Sequence, residues 1–578
     1  MILQSLNAYY ERLRSDDEPV VPPLGFAWRP VSFALLLDEN GRLVQVQDLR
    51  EQVKSKLVPK QMIVPSLGKK KASGIDPDFL WGTTGYVLGA EIDEKPMRTA
   101  DKFKQFKKLQ HSLGDGLADK GVAAVLNFLD GWDATEAPKY DGWNELAGSN
   151  VVFRLDTKLQ YVHEALCVQN AWTEFYRHDE VGGVRMCLIS GQEKQISFLH
   201  PGVKGIDGTS TAEAALVSFN NNSSHSYGKD QNLNAPVGKV EAFNYTTALN
   251  YLLMRDNRQR VKIGETITVF WTARASPIEG FMGMILNPQE DTSDINQIHL
   301  FMEAIRDGKM PREFGDPEVP FFILGLSPSA ARISVRFWHV STVGDMLEKI
   351  GQHFRDLSII KRYESDHDFP TLRQILLETF INHKSKTKPN WDNVKPLLAG
   401  VLMRSILTGS AYPQNLLSAV IGRIRADQEV NYLRAAIIKA CLIRKCRTQN
   451  LQEEVTMSLN KESTNIAYRL GCLFAVLEKA QQEAAAPTKL NTTIKDRFYG
   501  SASATPSVVF PLLLRLAQHH IQKAVYGGRM DKMIEEIMCG IEKFPAHLSL
   551  DDQGMFAIGY YHQRQAFYVK SENQKEGE

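Results

Sequence analysis

The chain predicts an α+β fold: a mixed α/β N-terminal portion, then an all-α C-terminal region ending in a helical bundle. Three observations carry this. Before residue 341, short β-rich runs alternate with helical stretches and Gly/Pro turns; after Thr342 the apolar spacing is helical almost throughout; and residues 457–578 hold several successive amphipathic segments. With 578 residues the chain has room for about three or four domains. The changes in pattern divide it into 1–341, a mixed α+β region; 342–456, a helical connecting region; and 457–578, a helical bundle.

In order, the expected strands are Ser32–Asp38, Val151–Asp156, Arg185–Ser190, Thr266–Ala273 and Ala331–Trp338. The last two are β-branched and aromatic, as half-buried strands require. Expected helices follow at Asp345–Leu357, Thr371–Phe380, Val394–Leu407, Gln414–Arg425 and Asn431–Arg444, separated by Pro, Gly, Asn and Lys clusters. Lys445–Thr456 is a polar break. Beyond it Ile466, Leu470, Leu473, Phe474 and Leu477 share one helical face. Leu512–Val525, Met530–Ile541 and Leu550–Phe567 complete a four-helix bundle, the last helix opened by Ser549 and Asp552 in capping-box spacing. The SENQKEGE tail is expected to be disordered.

Composition narrows the function classes. At 43% hydrophobic and 23% charged residues the chain is an ordinary globular protein, and 68 Lys and Arg against 67 Asp and Glu leave a net charge of +1. Any nucleic-acid site must therefore be a local patch. The N-terminus lacks a signal-peptide pattern, and no run reaches the ~18 apolar residues of a membrane span. Six cysteines without a CxxC pair predict reduced thiols in a cytoplasmic protein, with no zinc site and no cofactor.

Catalytic motifs are scarce. No P-loop is present. His163, Glu164 and Cys167 spell HExxC, but without a second His one turn on the zinc-protease pattern fails, and a structural role is expected. The His178-Asp179 and His367-Asp368 dipeptides sit in polar, turn-like stretches, and His519 and His520 point in different directions on a helix. No catalytic residue is assigned. A metal-dependent nuclease or phosphodiesterase, and a scaffold without sequence-reading ability, remain the competing readings.

The polar segments are more informative. Val217–Gly228 contains no Asp, Glu, Lys or Arg, yet Asn220, Asn221, Asn222, Ser223, Ser224, His225, Ser226 and Tyr227 are dense in hydrogen-bonding groups. Such a run either caps its own backbone as a turn-rich surface loop or offers its side chains to a polar partner. Asn reads adenine edges and Ser, Asn and Tyr hold phosphates, so nucleic acid is a natural partner. Lys69, Lys70 and Lys71 lie in a Pro- and Gly-broken segment, either a solvated run or a loop reaching for phosphates. Arg98, Lys102, Lys104, Lys107 and Lys108 surround an apolar strip of Phe103, Phe106 and Leu109, suited to a helix lying along a nucleic-acid backbone; Arg255, Arg258, Arg260 and Lys262 form a third basic group, of which Arg258 and Arg260 are the backbone candidates.

Longer blocks carry a resemblance. FLWGTTGYVLG at 79–89, SFNNNSSHSYGKDQNLNAP at 218–236, ILGLSPSAARISVRFW at 323–338, EVNYLRAAIIKACLIR at 429–444, SASATPSVVFPLLLRLAQHH at 501–520 and FPAHLSLDDQGMFAIGYYHQR at 544–564 occur in an order that resembles one family. It is the large subunit of the type I-C (Dvulg subtype) CRISPR surveillance complex, Cascade. There are two departures: Gly82 and Thr83 follow Trp81 where the family has Asp-Asn, and Ser223 and Ser224 stand where it has Ala-Phe. The resemblance implies a non-catalytic subunit for antiviral defence that recognises the PAM duplex, aids unwinding and R-loop formation, and recruits a helicase–nuclease effector. Expected partners are the crRNA-containing Cascade subunits, target double-stranded DNA with its PAM, and the displaced single strand. The family also makes small-subunit copies from an internal start, which the resemblance places at Met457, with Lys461, Arg469, Lys489, Lys495 and Arg497 expected to face a DNA strand. On this reading Lys69–Lys71 and Asn220–Ser224 converge on the PAM.

Overall fold

The computed structural model describes residues 1–16, 20–53, 55–68, 75–92, 95–178, 183–263, 265–286, 295–380, 396–452, 455–488 and 490–568. Helix accounts for 49% and strand for 16%, which places the chain in the expected α+β class. Its contacts divide it into two units: residues 1–257 with 328–334, and residues 258–327 with 335–578.

The first unit begins with α1 (Ile2–Ser15), β1 (Phe26–Val31), β2 (Phe33–Leu37), β3 (Leu43–Asp48), β4 (Glu51–Val53), β5 (Lys56–Val58) and β6 (Lys60–Pro65). It continues with β7 (Trp81–Thr83), α2 (Thr84–Val87), α3 (Pro96–Gly114), α4 (Lys120–Gly131), α5 (Trp143–Leu146) and β8 (Asn150–Leu155). Then come α6 (Leu166–His178), β9 (Val184–Met186), β10 (Glu193–Gln195) and α7 (Lys239–Leu252). The central sheet has the order β3-β2-β8-β7, with β2 and β8 parallel and the outer pairs antiparallel. All five residues of β2 are buried, because the strand is covered on both faces. Phe33, Leu35 and Leu37 point into a core with Phe106, Val125 and Phe153, whereas Ala34 and Leu36 meet Met62 and Val64 of the β1–β6 ribbon. This two-sided alternation is the period-2 geometry of a strand and explains an apolar run without polar interruption.

Arg185–Ser190 was expected as a strand of six residues but only Val184–Met186 forms one. Cys187 ends it: its carbonyl accepts from Gly191 N–H at 2.8 Å and its Sγ from Ile189 N–H at 3.3 Å, so the chain turns.

The second unit opens with β11 (Arg260–Ile263), β12 (Thr266–Thr272), α8 (Ile278–Leu286), α9 (Ile295–Arg306), β13 (Pro320–Ser329) and β14 (Arg332–Thr342). Its helices are α10 (Val343–Leu357), α11 (Leu372–Leu377), α12 (Pro396–Thr408), α13 (Gln414–Asp427) and α14 (Tyr432–Thr448). The last five are α15 (Ile466–Ala484), α16 (Ile494–Ala502), α17 (Pro506–Lys523), α18 (Gly527–Met538) and α19 (Leu550–Ala566). The sheet order is β11-β12-β13-β14. The sequence placed its first boundary at 341/342, but the contacts place it at 257/258. The cause is burial: Phe270, Phe321 and Ile323 of the sheet share one apolar core with Val343, Met346 and Ile350 of α10. The same core continues through Ile438 of α14 to Phe474 and Phe556, so residues 342–456 and 457–578 do not have separate cores.

The rear helices form at the expected places with shifted ends, α11 being confined to Leu372–Leu377 and α18 running from Gly527 to Met538, and the last opens on the reciprocal Ser549–Asp552 capping box. Helix α16 was not anticipated, and α17 starts at Pro506, where proline's fixed φ suits the first turn. The six cysteines carry no disulfide, and among the described residues no helix is long and apolar enough to cross a membrane.

Candidate nucleic-acid interface

The amide-rich segment is a braced surface loop. Asn222–Ser224 forms a single 3₁₀ turn, closed by Ser224 N–H to Asn221 O at 2.8 Å and His225 N–H to Asn222 O at 3.1 Å. Asn234 clamps the far side. Its Oδ1 accepts from Ser226 N–H at 3.0 Å and from the Ser226 hydroxyl at 3.1 Å; its Nδ2 donates to Lys229 O at 2.8 Å and Gln231 O at 2.9 Å. The His225 Nε2 bonds Phe219 O at 3.0 Å, and its Nδ1 lies 3.4 Å from Asp230. At the entry, Arg332 Nη2 donates to Asn220 Oδ1. Arg332 arrives on the β13–β14 turn, which pairs with the segment before the loop: Ser210 N–H bonds Ala330 O at 2.9 Å, and Ile333 N–H bonds Ala215 O at 3.0 Å.

The bracing consumes Asn220, Asn234 and His225 and leaves the others outward. Asn221, Asn222, Ser223 and Lys229 are exposed, while Ser224 is half-buried. Tyr227 is 96% exposed and holds φ at +53°, a left-handed conformation uncommon for an aromatic residue, with Gly228 beside it at +66°. The loop thus offers paired donors and acceptors beside an aromatic face, which is the chemistry for reading base edges and stacking on an unpaired base.

The five cations of α3 divide. Arg98, Lys104 and Lys108 are exposed, the last two one turn apart. Lys102 pairs with Glu91 at 3.5 Å above the Tyr86 ring, and Lys107 pairs with Asp130 at 2.8 Å. Asp130 also meets His111 Nε2 at 3.0 Å; hydrogen bonds to the Asp115 and then the Asp130 carboxylate raise that imidazole above its ordinary pKa. The apolar strip behaves as the spacing predicts, with Phe106 fully buried and Phe103 and Leu109 half-buried. Gln110 anchors the helix: its Oε1 accepts from Leu80 N–H at 2.8 Å and its Nε2 donates to Asp78 O at 3.0 Å.

Lys69, Lys70 and Lys71 lie outside the described residues, as does Lys489. Arg258 and Arg260 belong to the second unit; Arg258 is exposed and Arg260 is a half-buried member of β11 opposite Val269. The loop and α3 rest on different supports within the first unit. α3 packs on α2, α4 and α6, whereas the loop hangs between the 210–215 segment and the start of α7. The departures also differ. Gly82 and Thr83 pair with Val151 and Asn150 on the edge strand β7 of the sheet, whereas Ser223 and Ser224 are in the surface turn.

His163 of the HExxC run is 1% exposed and stacks on Tyr161 at 5.8 Å; burial pushes its pKa down to about 4. Glu164 instead closes a capping box by accepting from Tyr161 N–H at 3.0 Å. Among the described residues no group of three or more His, Cys, Asp and Glu side chains is placed to hold a metal ion. The sequence marks Tyr227 as a polar member of the loop but not its outward, left-handed placement, and Arg332 has no local signal, being 112 residues from Asn220.

No curated protein sequence matches the chain. The sequence model of one family, described as CRISPR-associated protein (Cas_Csd1), matches residues 6–568, nearly the whole length. The chain belongs to the CRISPR-associated Cas_Csd1 family.

Proposed function

We propose that this protein is the non-catalytic large subunit of a crRNA-guided type I-C Cascade complex. In that role it recognises the PAM duplex, assists opening of the target and recruits a helicase–nuclease. The observation that carries the reading is the braced loop, which holds Asn221, Asn222, Ser223 and Tyr227 outward on a fixed backbone, none of the four carrying a charge. Directional amides specify bases, while lysines such as Lys104 and Lys108 position the phosphate backbone without reading sequence. Guide pairing then reads the remaining target.

The test is a gel shift with the assembled complex on duplexes with and without the flanking motif. Replacing Asn221 and Asn222 with Ala is expected to cut discrimination by about tenfold or more, since a bidentate base contact is worth ~1–3 kcal/mol. Reversing charge at Lys104 and Lys108 is expected to weaken every duplex alike and flatten the salt dependence. Unchanged discrimination in the Asn variant would overturn the base-reading role. Metal-dependent DNA cleavage by the isolated protein would overturn the non-catalytic one.

A further inference from the structure

The first unit contains a cleft of about 390 Å³ that the loop and α3 leave unused. Its walls are the 20–22 segment, β1, the 201–205 turn and the second half of α7. Both flanks are fixed. The Tyr10 hydroxyl donates to Pro22 O at 2.9 Å and Arg14 to Val21 O at 3.3 Å. Across the cleft, Asn250 Oδ1 accepts from Lys204 N–H at 2.7 Å while its Nδ2 donates to Gly202 O at 3.2 Å. Gly205, at φ +82°, lets the turn press onto α7, where a Cβ would stand 2.7 Å from Leu253 O. The cleft is therefore preformed and of ligand size.

Its chemistry is two-sided. Buried Phe26, Phe243 and Leu253 line the apolar part, and Trp28, 38% exposed, offers an indole face. Three cations lie on the lining against a single carboxylate, Glu213. Lys204 pairs with Glu213 at 3.2 Å and Arg255 with Asp207 at 3.2 Å. Arg29 meets only the neutral Ser66 hydroxyl, at 3.3 Å, among the described residues. Gly68 also lines the cleft, and Lys69 follows it directly in the chain.

An apolar slot with an aromatic wall and a guanidinium lacking a counter-charge complements a flat base joined to a phosphate. An apolar peptide side chain would fill the slot but leave Arg29 without an anion, and a stacked duplex offers no free base face. We propose that this cleft takes one unpaired nucleotide of a nucleic-acid strand, its base on Trp28 and its phosphate at Arg29. The proposal stands on the cleft and does not depend on duplex reading by the Asn loop.

The test uses the full chain and short oligothymidylate or oligouridylate strands carrying a photoactivatable 4-thio base. Crosslinks are expected on the Trp28–Arg29 peptide, and whether the deoxy or the ribo strand gives them identifies the source. W28A is expected to weaken strand binding roughly five- to a hundredfold at an unchanged melting temperature, W28F to retain most of it, and an abasic strand to bind the parent as weakly as W28A binds the intact strand. Crosslinks confined to other residues, absence of any crosslink, or equal affinity in W28A and parent would overturn the proposal. Flanking-motif discrimination on duplexes is read separately, so its loss or retention bears on the loop and not on the cleft.

Discussion

Asp356 carries a buried charge cluster. Its carboxylate accepts from Arg444 Nε at 2.7 Å and Arg447 Nη2 at 2.9 Å, while Lys439 donates to its backbone carbonyl at 2.9 Å. Asp356 is 3% exposed and the Arg444 side chain is fully buried. Removing the carboxylate leaves the guanidinium without its counter-charge, so Asp356→Ala is expected to cost about 3–5 kcal/mol in urea unfolding. Gln110 makes a smaller, neutral version of the same argument. It satisfies the backbone that holds Leu80 at φ +59°, and Gln110→Leu is expected to cost about 1–3 kcal/mol for each group orphaned. Neither role was legible in sequence, where Asp356 and Gln110 are ordinary polar positions on helices. The same holds for Arg332 and Asn220: the sequence marks the loop by its lack of charge, but the residue that ties it down comes from a distant turn.

Among elements, helices were legible where burial is one-sided, as in α10 and α3, and strands where a short, largely apolar run is buried on both faces, as in β2 and β12. Their crossings were not. α15 and α19 meet through a reciprocal pair of glycines: a Cβ at Gly471 would stand 2.0 Å from Phe556 O, and one at Gly559 would stand 2.1 Å from Tyr468 O. Both helices are buried nearly all round, so apolar spacing alone could not assign their contacting faces. Gly471→Ala and Gly559→Ala are each expected to force the backbones apart and destabilise by about 1–3 kcal/mol. Gly528→Ala in α18 meets open space and is expected to be neutral or to stabilise by up to ~1 kcal/mol, because it removes only unfolded-state freedom. Equal effects at all three positions in chemical denaturation would refute the close-crossing account.

Two whole-chain properties follow from how much is buried. Burial holds His163, His200 and His562 near a pKa of about 4, while the unfolded chain titrates them at 6.5. The unfolded state therefore binds more protons below about pH 6.5, and stability, full above that value, falls as pH drops toward 4. Each ring contributes up to roughly 3 kcal/mol over the window, and a melting-temperature profile of His163→Gln is expected to be flatter there than that of the parent. The second property concerns the shared core of the rear helices. Met457 precedes the segment that the resemblance marks as a separately made small subunit, 122 residues long with 14 Lys and Arg against 13 Asp and Glu. In the full chain that segment is stitched to what precedes it: Ile360 N–H donates to Met457 O at 2.8 Å, the Tyr561 hydroxyl to Ile360 O at 2.7 Å, and Gly554 of α19 packs against Ile438 and Leu442 of α14. A product starting at Met457 lacks α13 and α14, so the α19 face bearing Gly554 and Tyr561 loses its cover. Mass spectrometry of complex purified from cells with the native gene is expected to find a species beginning at Met457, which disappears when that codon can no longer initiate. Made alone, residues 457–578 are expected to self-associate through the uncovered face, seen as oligomers in light scattering that charged substitution at Tyr561 disperses. A stable monomer would show that the α14-facing surface does not need a partner, and absence of the species from the native complex would remove the internal start.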